Sequence, residues 1–148
     1  VFHGIPNVSN NDELRDVSLK EARQIFKVML TAVEEAGLKD LFKPILRPPA
    51  WRMPPEAFVA ASECGIELFA LTEKEYANVT YKGADKEYDT VYYNVNPPFD
   101  PLKIFDNTEM VYHACEWDKN YLDKQKTEEL IEFLRDKEVD FCFMKDML

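Results

Sequence analysis

Apolar positions recur along this chain at two spacings, one helical and one strand-like. Ala22, Ile25, Phe26, Met29, Leu30, Val33 and Ala36 repeat every three to four residues, which lines one face of a helix with core-directed side chains. Ser18-Leu19-Lys20-Glu21 precedes them as a capping box, and Gly37 follows them as a C-terminal stop, so a long amphipathic helix is predicted between the two. A short strand is expected over 42–46, where Pro44 suits an edge position or the strand's beginning. Pro54 and Pro55 then suit the first turn of a second helix, with Ala57, Phe58, Ala60, Ala61 and Cys64 as its apolar stripe and Gly65 as its end.

Residues 66–71 form a further apolar run of strand length, and 88–95 alternates like a strand. The prolines of Asn96-Pro97-Pro98-Phe99-Asp100-Pro101 mark a loop. Strands are expected again over 109–113 and 139–143, the last leading into a short helix. Between them a helix is expected over 122–137 with Leu130, Ile131, Phe133 and Leu134 turned inward. Strands separated by helices require parallel pairing with right-handed crossovers. The predicted class is therefore α/β, as a piece of a (β/α) barrel or a doubly wound sheet. With 148 residues the chain fits one domain that can bury a core.

Charge narrows the partners. A formal net charge of -10 repels nucleic-acid backbones and anionic membranes, and no apolar run approaches the roughly 18 residues of a membrane span. A neutral ligand or a metal cation fits better. Cys64, Cys115 and Cys142 are odd in number and widely spaced, which signals neither a disulfide framework nor a zinc ribbon and leans toward free thiols and a cytoplasmic setting.

Only two histidines are present, His3 and His113. Each stands where an apolar strand meets a loop, the place where α/β proteins put their chemistry. Between them lies Leu46-Arg47-Pro48-Pro49-Ala50-Trp51, a rigid loop carrying a cation and a large aromatic ring.

The order His-Gly-x-x-Asn at 3–7, long amphipathic helix, Arg-Pro-Pro-x-Trp at 47–51, helix ending in Gly-Ile-Glu-Leu-Phe-Ala at 65–70, and a strand closing on His113 resembles the second half of a polysaccharide deacetylase domain. The resemblance implies a distorted (β/α) barrel of parallel strands, here lacking its first strands, so that 1–148 is one deacetylase-like domain incomplete at its N-terminus. It implies metal-dependent hydrolysis of N-acetyl or related amide bonds on carbohydrates, with His3 and Asn7 at the places of two metal ligands and zinc as the expected divalent metal. Arg47 matches the arginine that orients the catalytic carboxylate, and His113 matches the general acid. Pro48, Trp51 and Trp117 match positions that wall the substrate groove and flank the acetyl pocket.

Two departures from the family pattern alter the expectation. Asn7 stands in place of a histidine, and an amide oxygen is a weaker zinc ligand than an imidazole nitrogen. The family's Asp-Asp motif, which supplies the catalytic base and a further ligand, has no counterpart in these residues, so the chain by itself is expected to be inactive. The alternative is a non-catalytic relative that binds glycans or acts as a scaffold, with Trp51, Tyr92, Tyr93 and Trp117 as stacking surfaces. Without the first strands, the edge beside Val1 to His3 is expected to pair with a second molecule. Plain structural roles compete at each position: Arg47 as one half of an ion pair, Trp51 as a core anchor, Asn7 as a turn residue after Pro6.

Overall fold

A computed structural model describes residues 14–96, 100–114 and 121–148. Helix α1, Leu19–Glu35, begins on the predicted box: the Ser18 hydroxyl accepts the Glu21 backbone N–H, and the Glu21 carboxylate accepts the Ser18 backbone N–H at 2.9 Å. It ends where Gly37 takes a left-handed φ of 67° and the N–H groups of Gly37 and Leu38 return to the carbonyls of Glu34 and Val33. Helix α2, Pro55–Glu63, closes the same way at Gly65, whose φ is 86°. A side chain would cost energy in that conformation at either site.

Four short strands follow one another in a single parallel sheet: β1, Ile45–Leu46; β2, Leu68–Leu71; β3, Val91–Asn96; and β4, Thr108–Met110. Their spatial order is their chain order, as in a segment of a (β/α) barrel; a doubly wound sheet reverses direction at a switch point. The fold is thus mixed α/β with parallel strands. Strand β1 is shorter than the expected 42–46 because Pro44 has no N–H to give; its carbonyl instead accepts the N–H groups of Glu67 and Leu68.

The segment between β2 and β3 folds as α3, Glu73–Val79, and a single turn α4, Ala84–Glu87. Thr72 caps α3 by accepting the Glu75 backbone N–H. Helix α5, Lys124–Leu134, starts on the Asp123 cap. Ile131 is 58% exposed there and does not turn inward as expected.

Alternation along the strands divides the core into two clusters. Leu46, Phe69 and Leu71 face the helices, where they meet Phe26 of α1 and Ala57, Phe58 and Ala61 of α2. Phe58 and Phe69 are both fully buried with ring centroids 4.6 Å apart, each contributing about 1.5–3 kcal/mol by burial. The small alanines of α2 let α1 approach closely, and a two-point ion pair between Arg23 and Glu63, at 2.7 and 2.6 Å, spans the two helices.

The opposite face of the sheet presents Ile45, Leu68, Ala70, Val95 and Val111, covered by Trp51, Met144 and Met147. Met144 and Met147 belong to a C-terminal 3-10 turn. The expected strand over 139–143 does not form: these residues pair with no strand of the described sheet, and Phe141 and Phe143 are 87% and 75% exposed. Alternation of Val139, Phe141 and Phe143 imitates a strand, but a strand needs a ladder partner. No described helix is long and apolar enough to cross a membrane.

Candidate functional site: a strand-end cleft

A cleft of about 680 Å³ opens at the carboxyl ends of β1 to β3, where open α/β sheets bind their ligands. Its walls come from the 50–55 segment after β1, the 72–75 segment after β2, the end of β3 and the loop carrying Lys103 and Phe105. Arg15, Arg52, Lys74 and Lys103 balance Asp16, Glu73, Glu75 and Asp100 around it. The cleft is therefore near neutral in a chain of net charge -10. Two aromatic rings, Trp51 and Phe105, and three amides, Asn78, Asn94 and Asn96, complete the chemistry.

Trp51 reaches this position through an unusual backbone. Ala50 and Trp51 both have left-handed φ values, 51° and 54°, a conformation that costs a non-glycine residue about 1–2 kcal/mol. The 3-10 turn Pro49–Trp51 thereby folds back, so that the indole packs on the Ile45–Val95 side of the sheet and also lines the cleft. Strain of this kind gathers at binding sites, where surrounding structure holds it in place.

Asn94 and Asn96 are each 4% exposed, lie two apart on β3 and so share one side of the strand. The Asn94 amide oxygen accepts the Tyr92 hydroxyl at 2.6 Å, and the Asn96 amide oxygen accepts the Lys103 backbone N–H at 2.7 Å. Tyr92 stacks on Tyr76 with ring centroids 3.9 Å apart and planes 8° from parallel. Burial, and after it the charge of Glu73, holds the Tyr92 phenol far above its ordinary range, so it remains a donor to Asn94.

On the sheet face opposite the helices, Arg47 meets Glu109 at 2.9 Å. Arg47 follows β1 and Glu109 lies in β4, so the contact crosses two intervening strands, about 14 Å between backbones on a flat sheet. Glu109 pairs in register with Val95, which places it on the inner, Val95 side. Its second carboxylate oxygen is buried without a hydrogen-bond partner among the described residues.

His113 follows on the same strand line. Val111 packs in the inner cluster, and the Tyr112 phenol, pushed up by burial and then by Glu129, faces α5 on the other side. Alternation then turns His113 toward the inner side. The chain is pinned there by a parallel bridge to Tyr121, with the Leu122 N–H donating to the His113 carbonyl at 3.0 Å.

Of the described site residues singled out from sequence, Trp51 lines the cleft; Arg47 and His113 fall by alternation on the inner face, and Pro48 is fully buried. His3, Asn7 and Trp117 lie outside the described residues. Among the described residues no three His, Cys, Asp or Glu side chains converge on a point that could hold a metal. The carboxylate that Arg47 does hold, Glu109, faces a guanidinium partner. The described residues therefore provide no metal cradle, and the ligand expectation rests on His3 and Asn7.

Sequence reasoning passed over Glu109, Asn94 and Asn96. The strand-end pattern Asn94-Val95-Asn96 before Pro97 was a usable signal, because it puts two amides on one side at the carboxyl end of a strand, where α/β sheets bind their ligands. Together these features define a parallel α/β fold with a polar, aromatic-walled cleft at its strand ends. No protein-family model, curated protein or solved structure matches the chain.

Proposed function

We propose that the chain is a saccharide-binding domain built on the polysaccharide deacetylase plan, with hydrolysis of an N-acetyl or related amide bond as its parent chemistry. The supporting observation is the cleft: a near-neutral cavity of about 680 Å³ with a half-buried indole and buried amides suits a polyhydroxylated neutral ligand. Trp51 is the stacking wall, and its strained backbone holds the ring in place before the ligand arrives.

Calorimetric titration with N-acetylglucosamine oligomers tests this reading. Binding is expected, with a loss of about tenfold or more in Trp51→Ala, since stacking on an aromatic ring carries on the order of 1–3 kcal/mol. An unaltered affinity in the variant, or no binding by the unsubstituted chain, overturns it.

A second reading, that the domain hydrolyses the amide, is supported by the Arg47–Glu109 contact and by the alternation that puts His113 on the side of Val111. In it Arg47 fixes a carboxylate able to take a proton from an attacking water, and His113 passes a proton to the departing amine. A divalent metal, zinc by expectation, belongs with this reading through His3 and Asn7. Acetate release from the same oligomers, measured with zinc or cobalt added, separates the two: the binding reading expects none, and release that falls in His113→Asn favours the hydrolase.

A further inference from the structure

Phe105 is a half-buried aromatic ring that belongs to neither core cluster of the described residues, yet it lines the cleft. The loop that carries it is tied down on both sides of the ring. The Lys103 backbone N–H donates to the Asn96 amide oxygen at 2.7 Å, and the Asn107 carbonyl accepts the Asn94 backbone N–H at 2.9 Å, which fastens the loop to β3. The Thr108 hydroxyl, at the start of β4, accepts the Phe105 N–H at 2.8 Å and donates to the Phe105 carbonyl at 3.2 Å. A ring held in this way outside the core is preorganised for a ligand, because the backbone that carries it loses little freedom on binding.

We infer that Phe105 is a second stacking platform, so that the cleft grips two sugar units of one chain at separate rings. Trp51 follows β1 and Phe105 leads into β4, the outer strands of the described sheet. Those strands lie about 14 Å apart on a flat sheet, so the two rings stand on separate walls with the cleft between them. A cleft of about 680 Å³ is of the size that buries a drug-sized ligand, which is larger than one sugar. Each pyranose offers an apolar C–H face, and an aromatic ring is the surface that covers it. Linked sugars that reach both rings bind as one bivalent ligand: the second contact is intramolecular and adds affinity that a lone sugar lacks. Trp51, with the larger ring, holds the first sugar, and Phe105 sets the preference for a longer chain.

This inference rests on the saccharide reading, and its test keeps the two apart. N-acetylglucosamine and its tetramer are titrated calorimetrically into the full chain. The tetramer is expected to bind about tenfold or more tightly than the monosaccharide. Phe105→Ala is expected to lower the tetramer's affinity about tenfold and to leave the monosaccharide's unchanged, so the preference for length disappears. Phe105→Tyr keeps the ring and is expected to keep the preference, with the far-ultraviolet circular dichroism of both variants unchanged. A tetramer that binds no more tightly than the monosaccharide, or a preference that survives in Phe105→Ala, overturns the second platform while leaving a saccharide site at Trp51. Loss of the preference in Phe105→Tyr as well overturns the stacking role. Failure of both ligands to bind the unsubstituted chain overturns this inference and the saccharide reading together.

Discussion

Removing Arg47 tests whether the inner face is organised by charge. The Arg47 and Glu109 side chains are 29% and 23% exposed, between the surface pairs worth about 0–1 kcal/mol and the fully buried ones whose disruption costs about 3–5 kcal/mol. Glu109 sits beside Val95 in register, with one oxygen already buried and unpartnered among the described residues. Arg47→Ala leaves that carboxylate facing an apolar wall, and the expected loss is about 2–3 kcal/mol. Glu109→Gln keeps the shape and removes the charge, at an expected cost of about 1 kcal/mol.

The double variant no longer contains an unpaired carboxylate, so a cycle of the four proteins should give a coupling of about 1–2 kcal/mol. Urea unfolding followed by circular dichroism measures each value. A coupling that shrinks little in high salt is also expected, because a part-buried pair is screened less than an exposed one. A coupling under about 0.5 kcal/mol would refute the reasoning: the contact would then be a surface pair, and the case for Arg47 as the holder of a functional carboxylate would fall with it.

The two ends of the C-terminal segment should respond in opposite ways. Met144→Ala with Met147→Ala uncovers the inner cluster and is expected to cost about 2 kcal/mol or more, whereas Phe141→Ser with Phe143→Ser should stay within about 0.5 kcal/mol; urea midpoints decide. Burial, with Glu73 and then Tyr76 adding to it, raises the folded-state pKa of Tyr92 above its ordinary value of 10.0. Its contribution is therefore complete below pH 10 and lost as the pH climbs toward the folded value. Tyr92→Phe should accordingly flatten the alkaline limb of a stability–pH profile. The Ser18 hydroxyl and backbone hold the Glu21 carboxyl below its ordinary 4.5, so that contribution is present above pH 4.5 and lost as the pH falls through the lower folded value. Glu21→Gln should flatten the acid limb in the same measurement.

Local signals explain which elements could be read from the chain. The capping box at Ser18, the prolines at 54 and 55 and the glycines at 37 and 65 act within one helical turn, so their outcome is decided by neighbours in sequence. The strand expected over 139–143 failed because alternation says nothing about whether a partner ladder exists. Ile131 failed for a related reason: a helical stripe fixes which residues share a face, and the width of that face depends on what packs against it.

The candidate site was less legible because its residues meet through parity and register, which are properties of the assembled sheet. Arg47 and Glu109 are 62 residues apart by their numbers, and nothing near either one names the other. Once β1 to β4 align in order, alternation from Ile45 puts Arg47, and alternation from Val95's register partner puts Glu109, on the same side. The same alternation assigns Asn94 and Asn96 to the side that Val95 leaves. A one-residue slip in β3 against β4 would reverse this division, sending Glu109 toward the helices and breaking its contact with Arg47. The ion pair across the sheet is thus evidence for the register as well as a product of it. The amide-lined cleft wall and the inner-face charge pair are two readouts of one strand alignment, so deleting Val95 should abolish both together.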